Sequence, residues 1–167
     1  MIGGGARPAR TSLVYKRIMP ARPRLSGHTL QFMRRLWELV HALAVSSKRM
    51  GRTLGVTGPQ RLVIRVVGQA PDATASEISD LLGLHPSTLT GVLARLERQD
   101  LLQRRIDAAD RRRVRFRLTP AGRRIDRERK GTVEAAVRRA ISRADPQMMA
   151  HTEAMIALLV AELDRLD

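Results

Sequence analysis

Two short helical patterns joined by a glycine turn, between Thr74 and Gln99, limit the possible folds of this chain more than any other feature. Thr74, with Glu77 three residues later, forms a capping box that starts the first helix, and Gly83 ends that helix. Pro86 fits the first turn of the second helix, where its missing N–H is not needed. Apolar residues recur at helical spacing through both segments: Ile78, Leu81, Leu82, Leu89, Val92, Leu93 and Leu96. The pattern predicts a helix-turn-helix.

The next segment, RRIDAADRRRVRFRLT at residues 104–119, combines seven arginines with the pattern of a strand. Val114, Phe116 and Leu118 occupy every second position, which is the period of a half-buried strand. We therefore expect a hairpin with strands at 102–106 and 114–118 and the loop DAADRRR as a wing. Because the strand pattern fixes side-chain directions, the arginines are expected to be displayed for binding rather than to form a solvated tail.

Amphipathic helices are predicted on both sides of this region. The first extends from His28 to about Met50, and Thr57 caps a second helix. The buried stripe of the second helix is expected to comprise Leu62, Val63, Val66 and Val67. Thr119 and Pro120 start a fifth helix whose stripe continues through Ile125, Val133, Val137 and Ile141.

A sixth helix is predicted to start at Asp145 and Pro146. Its apolar residues are Met149, Met155, Ile156, Leu159, Leu163 and Leu166. This stripe suits an interface between the helices of two subunits. Packing of the same stripe on its own chain is the alternative.

The charge of the chain indicates the class of its partner. It has 31 Lys and Arg against 16 Asp and Glu, a formal net charge of +15 in 167 residues. Such an excess favours a polyanion, either nucleic acid or an anionic membrane surface. Twelve basic and four acidic residues fall between Arg104 and Lys130, so this segment is the expected electrostatic footprint. With no cysteine and no apolar run of membrane-spanning length, we expect a soluble, cytoplasmic protein.

Residues 1–27 are rich in Gly, Pro and Arg and contain no acid. They are interpreted as a flexible basic arm. A transit peptide is a second interpretation, which Pro8, Pro20 and Pro23 disfavour because they interrupt an amphipathic helix. A later start codon, at Met19 or beyond, is a third.

The segment from Thr74 to Gly122 resembles the winged helix-turn-helix core of the multiple antibiotic resistance regulator (MarR) family of bacterial transcription factors. The resemblance rests on the Thr-x-x-Glu cap, the Leu-Gly-Leu turn, Arg95-Leu96-Glu97, the wing pattern Asp-x-x-Asp-x-Arg and the Leu-Thr-x-x-Gly exit. Asp100 stands where the family usually has Gly, and Asp tolerates the left-handed backbone that this turn requires. The flanking helices fit the family by length and order.

This resemblance implies an α+β fold, mostly α, with a winged helix-turn-helix domain and flanking N- and C-terminal dimerisation helices. The expected divisions are an arm at 1–27, a dimerisation helix at 28–50, the DNA-binding domain at 56–122 and dimerisation helices at 123–167. Within the DNA-binding domain, the helix-turn-helix covers 74–99 and the wing 102–118. The implied function is that of a ligand-responsive repressor that binds a pseudo-palindromic operator in double-stranded DNA as a homodimer.

The start of the second helix of the motif carries the candidate base-reading residues. A helix that enters the major groove by its first turn needs small polar side chains, which allow close approach to base edges and phosphates. The residues that supply this surface are Ser87, Thr88, Thr90 and Gly91, with Arg95 two turns further on. The alternative for Ser87 is helix capping alone.

The wing residues take their roles from the resemblance. Arg112 is implied to enter the minor groove, with Asp110 as the partner that orients it, while Arg111 and Arg113 face phosphates. The negative potential of narrow A·T-rich minor grooves explains why an arginine suits this position.

The remaining polar and aromatic residues offer few signs of a metal, ligand or catalytic site. Glu38 and His41, with His28 or His151, are a poor metal site because they form no tight ligand cluster, so no metal or cofactor is expected. Trp37 and His41 are candidates for a small aromatic-ligand pocket of the kind the family uses, with a core or interface position as the alternative. The sequence shows no catalytic constellation and no phosphate-binding glycine loop, so we expect no enzyme. A nucleic-acid binder indifferent to sequence, architectural or RNA-associated, is the main rival.

Overall fold

The computed structural model describes residues 27–107 and 110–166. The predicted basic arm, apart from Gly27, lies outside the described residues. The described residues fall into two units that divide between Leu39 and Val40. The helices are α1 (His28–Leu54), α2 (Gly58–Gln69), α3 (Ala75–Leu82), α4 (Pro86–Arg98), α5 (Pro120–Arg127), α6 (Val133–Ile141) and α7 (Pro146–Leu163). The strands are β1 (Ala73–Thr74), β2 (Leu102–Ile106) and β3 (Val114–Leu118).

The described part of the first unit, residues 27–39, is helical from His28 onward. Glu38 pairs with Arg34 and Arg35, each at 2.9 Å, on the exposed helix surface. Several large apolar side chains of this segment are exposed: Leu30, Phe32, Met33, Trp37 and Leu39. This apolar surface is available for burial in an assembly.

The second unit contains the winged helix-turn-helix. Its sheet is antiparallel with the strand order β1-β3-β2, and the pairs Leu102–Leu118 and Ile106–Val114 mark the two ends of the β2–β3 register. The two strands predicted from the alternating pattern have the expected bounds. The sequence did not reveal β1, which has only two residues and pairs Ala73 with Phe116.

The core of the second unit lies between α2, α3, α4 and the sheet. Its buried residues are Val56, Val63, Ile64, Val67, Ala73, Ile78, Leu89, Leu93, Leu96, Leu101, Leu102, Phe116 and Leu118. The predicted stripe of α2 was wrong at Leu62, which is 43% exposed, because the buried face instead contains Arg61 and Ile64. The expected core position of Leu81 was also wrong, since that side chain is 63% exposed.

The predicted caps are present. Thr74 Oγ1 accepts a hydrogen bond from the backbone N–H of Glu77, while Glu77 Oε2 accepts one from the N–H of Thr74 at 2.7 Å. The hydrogen bond from the Thr74 N–H holds the pKa of Glu77 below its ordinary value, because it favours the ionised carboxylate. Gly83 ends α3 in the left-handed conformation at φ +59°, where a side chain would be strained. Asp145 accepts from the N–H of Met148 at 2.8 Å and so caps α7.

Two predicted helices differ from the structure. α1 continues to Leu54, four residues beyond the expected end at Met50. The single fifth helix is wrong, because α5 ends at Arg127 and α6 begins at Val133. Gly131, at φ +69°, turns the chain, and Thr132 Oγ1 caps α6 by accepting from the N–H of Ala135. The predicted sixth helix is therefore α7.

The apolar side chains of α7 are exposed around the helix. Met148, Met155, Ile156, Leu158, Val160 and Leu163 are each about half exposed or more. A helix that is apolar on all sides is normally buried in protein or in a membrane. None of the helices in the described residues is long and apolar enough to span a membrane.

Candidate nucleic-acid interface

The helix α4 presents two different faces. Leu89, Leu93 and Leu96 are buried and fix the helix against the core. The candidate base-reading residues all lie on the exposed side: Ser87, Thr88, Thr90, Gly91 and Arg95. We call these five residues the α4 surface. A Cβ atom at Gly91 would meet no atom within 4 Å, so the middle of this surface is open to close approach.

The first turn of α4 is capped by a residue that sequence reasoning missed. His85 Nδ1 accepts a hydrogen bond from the backbone N–H of Ser87 at 3.3 Å and lies 2.7 Å from Ser87 Oγ. Since Nδ1 accepts from the N–H, the Ser87 hydroxyl donates to it as well. The sequence did hold a signal for this cap. Pro86 favours the first position of a helix, which places His85, directly before it, at the N-cap.

Hydrogen bonds orient the hydroxyls of the α4 surface. Thr90 Oγ1 donates to the carbonyl oxygen of Pro86 at 2.8 Å, so its hydrogen is directed to the helix backbone, and the hydrogen of Ser87 Oγ is directed to His85 Nδ1. In this arrangement both oxygens present lone pairs to solvent. Such oxygens accept hydrogen bonds from the exocyclic amines of cytosine and adenine in a major groove.

The turn that leaves α4 keeps the geometry expected for Asp100. Its φ is 53°, in the left-handed region that favours Gly and that Asp tolerates. Leu101 N–H donates to Leu96 O at 2.9 Å, and Thr119 Oγ1 donates to Asp100 O at 2.6 Å. Gly122 packs so closely on the Leu101 carbonyl that a side chain would collide with it. These contacts hold the end of α4 against the base of the wing.

The wing tip is closed by Asp110. Its Oδ1 accepts a hydrogen bond from the backbone N–H of Arg112 at 3.0 Å, and its carbonyl oxygen accepts from the N–H of Arg113 at 2.9 Å. The same carboxylate lies 3.7 Å from Arg112 Nε and 3.6 Å from Arg113 Nε. We call residues 110–113 the wing tip; residues 108 and 109 lie outside the described residues.

The arginines of the wing divide into two groups. Arg115 pairs with Asp107, and Arg117 forms two bonds to the carboxylate of Asp72. The Arg117 guanidinium holds the pKa of Asp72 below its ordinary value, and the Asp107 carboxylate raises the pKa of Arg115. Arg117 thus fastens β3 to Asp72 and Arg115 joins the two wing strands, so both guanidinium groups are paired with carboxylates rather than free for binding as the sequence suggested.

The second group is displayed. Arg111, Arg112 and Arg113 are exposed, and the Arg112 side chain is 96% exposed at the extremity of the hairpin. Arg105 on β2 is also exposed, whereas Arg104 lies 3.5 Å from Glu97 of α4. The structure therefore concentrates exposed positive charge at the wing tip, with three guanidinium groups against the one carboxylate of Asp110, where a polyanion encounters it.

The candidate ligand residues lie on α1. Trp37 is 65% exposed, and His41 is exposed as well. The described residues contain no group of three or more His, Cys, Asp or Glu arranged to hold a metal ion.

Comparison with known proteins gives this geometry a context. Residues 54–113 match the model of the MarR family. An uncharacterised helix-turn-helix-type transcriptional regulator of Bacillus subtilis, YsmB, is 34% identical over 90 residues. That alignment covers 52% of this chain and 62% of YsmB, so the chain spans less than two thirds of the curated relative.

Solved structures share the fold over most of the chain. Streptococcus pneumoniae FabT, solved in complex with DNA, is 27% identical with a TM-score of 0.62, covering 83% of this chain and 99% of FabT. Staphylococcus aureus MepR, also solved with DNA, has a TM-score of 0.68 at 17% identity, covering 82% and 99% of the two chains. At this low identity, the similarity to MepR shows a shared fold and nothing further. The winged helix-turn-helix of this chain, with its α4 surface and arginine-tipped hairpin, is therefore similar to the MarR family over residues 54–113.

Proposed function

We propose that this protein is a DNA-binding transcriptional regulator that binds a pseudo-palindromic operator as a homodimer. One observation carries the proposal: a helix with an open, small and polar outer face adjoins a hairpin that ends in three exposed arginines. The first element suits base edges in a major groove, and the second suits the phosphates and minor groove next to it. The DNA complex of FabT is consistent with this assignment.

In this proposal the α4 surface carries sequence specificity. Thr90 accepts from base amines, Ser87 does the same or remains a capping partner, and Gly91 lets the backbone approach. Thr88 and Arg95 extend the contact along the groove. At the wing tip, Arg112 enters the minor groove under the orientation of Asp110, and Arg111 and Arg113 contact phosphates.

The homodimer follows from the exposed apolar helices. α6 exposes Val137 and Ile141, and α7 is apolar on all sides. Both need a partner surface in water. A second copy that contributes α1, α6 and α7 buries these residues and relates the two α4 surfaces by a twofold axis, as a palindromic operator requires.

Ligand control is proposed at Trp37 and His41. Each side chain is exposed in its own unit, and each by itself suits contact with a small aromatic ligand whose binding releases the operator and so relieves repression. A protein of this kind acts in the cytoplasm and catalyses no reaction.

The test is selection of binding sites by the purified chain from a pool of random DNA duplexes. We expect enrichment of an inverted repeat whose half-sites lie about one helical turn, roughly 10 base pairs, apart. Enrichment of no common sequence would favour the rival function of a sequence-indifferent nucleic-acid binder, for which the net charge of +15 is the supporting observation.

A further inference from the structure

Arg61 is a buried arginine on the inner face of α2. Its side chain is 2% exposed. A guanidinium in this position destabilises the fold unless acceptors surround it. Its partners therefore show which parts of the protein it joins.

Three of its contacts are with the end of α5. Its Nη1 donates to the carbonyl oxygen of Ile125, and its Nη2 donates to those of Glu128 at 2.6 Å and Asp126 at 3.3 Å. The last carbonyls of a helix have no partner within the helix. Arg61 adds a donor from α2 to these carbonyl oxygens, which also accept from the Glu128 N–H, Arg65 and Arg129, and so ties the end of α5 to the helix-turn-helix.

The fourth contact crosses the break between α5 and α6. Arg61 Nε donates to Glu134 Oε1 at 2.9 Å, and Glu134 lies in the first turn of α6. Five residues, 128–132, separate the two helices. One side chain of the winged domain thus holds the chain on both sides of the turn that leads to the proposed dimerisation helices.

The second oxygen of Glu134 is an unusual feature of this contact. Glu134 Oε2 is buried and has no hydrogen-bond partner within the described residues. An unpaired buried carboxylate oxygen destabilises a fold. The ion pair is therefore a costly way to pack these helices, and a contribution to geometry accounts for it better than a contribution to stability.

We propose that Arg61 is a positioning residue that fixes the winged domain relative to α6, and thereby sets the half-site spacing that the dimer accepts. The inference rests on the proposed function, because it assumes that α6 and α7 lie at the twofold axis. The hydrogen bonds of Arg61 within the described residues are to α5, the residue after it, and α6, and none is to the α4 surface or the wing tip.

Two substitutions of Glu134 separate geometry from charge. Glu134→Gln keeps an oxygen that accepts from Arg61 Nε, whereas Glu134→Ala removes the acceptor and leaves the contacts with α5 in place. Light scattering and thermal unfolding establish that each variant is a folded dimer. Each is then titrated against inverted repeats whose spacing is changed by about one and two base pairs from the selected site.

We expect wild type and Glu134→Gln to share a sharp optimum of spacing. Glu134→Ala should lose affinity for the optimal spacing by about tenfold and discriminate poorly among the others. An unchanged spacing profile for Glu134→Ala overturns the inference. If wild type itself shows no preferred spacing, the proposed function fails instead.

A second variant covers the case in which Glu134→Ala does not fold. Arg61→Met combined with Glu134→Leu removes both charges and leaves no buried ion without a partner. A folded dimer of this double variant with a broadened spacing profile supports the inference. One with the wild-type profile overturns it.

Discussion

Asp110 contacts Arg112 twice: its Oδ1 accepts the backbone N–H of Arg112 at 3.0 Å and lies 3.7 Å from the guanidinium Nε. The first contact closes the wing turn, and the second faces the side chain proposed to enter the minor groove. The same carboxylate therefore shapes the loop and reduces the positive charge of the wing tip. Substitutions at these two residues separate the two effects.

The first prediction concerns Arg112. Arg112→Ala should weaken operator binding by about 1–3 kcal/mol and relax the preference for A·T-rich flanking sequence, because a minor-groove contact depends on groove width. Fluorescence anisotropy with operators of different flanks measures both effects. Arg165→Ala, which removes an exposed charge just beyond the end of α7, is the control and should change neither. An equal loss on all flanks would show that Arg112 contacts phosphate only.

The second prediction concerns Asp110, where two accounts differ in sign. If the wing were a diffuse cationic patch, loss of a negative charge would tighten DNA binding. If Asp110 orients the tip, Asp110→Ala should bind the operator more weakly than wild type. Asp110→Asn keeps an oxygen for the Arg112 N–H, so its affinity for the operator should lie between those of wild type and Asp110→Ala. Tighter operator binding by Asp110→Ala at fixed salt would exclude the orienting role.

The wing strands were predictable because their alternation comes from burial. Phe116 and Leu118 face the core, so the period of two is visible in the sequence and the strand bounds were correct. The caps at Thr74 and Asp145 were predictable for a similar reason, since each is a local interaction between residues three apart.

Other features depend on contacts between distant residues. Arg61 is buried because its partners are the end of α5 and Glu134, more than 60 positions away. Arg117 appeared to be displayed because its partner, Asp72, lies 45 positions earlier in the chain. Arg115 pairs with Asp107, eight positions earlier, across the hairpin. The break after α5 was an error of a different kind, since Gly131 followed by Thr132 is a local helix-end and helix-start signal. The five residues of the α4 surface are exposed, and their contacts with DNA stay a prediction; sequence reasoning missed the cap, His85.

The third prediction concerns the ion pair between Asp72 and Arg117. Asp72→Asn should lower the melting temperature at neutral pH, because it removes the charge while Asn still tolerates the φ of 67°. The pKa of Asp72 is lowered from 3.8 in the folded state, so the pair stabilises the fold fully above that value and loses its effect as the pH falls below it. Calorimetry should show a difference between wild type and variant that holds down to about pH 5 and shrinks as the pH falls toward about 3. A difference that does not change with pH would contradict the ion-pair explanation.

The fourth prediction concerns the dimer. Removal of residues 146–167 should give a monomer or an insoluble chain, because α7 supplies much of the exposed apolar surface. A more specific test is the double variant Met155→Glu with Leu163→Glu, which keeps the full chain and places charges at two exposed apolar positions of α7. Light scattering should show dissociation of this variant. A soluble, folded dimer from the truncated chain would show that the interface lies elsewhere.

The most direct test of the central claim is the affinity of the wild-type chain for its selected inverted repeat, a shuffled duplex of equal length and a single-stranded RNA at one salt concentration. A regulator that reads sequence through the α4 surface and the wing tip should prefer the inverted repeat over both competitors by roughly 10³-fold or more. Equal affinity for all three would contradict the account, because contacts with phosphates alone do not distinguish them.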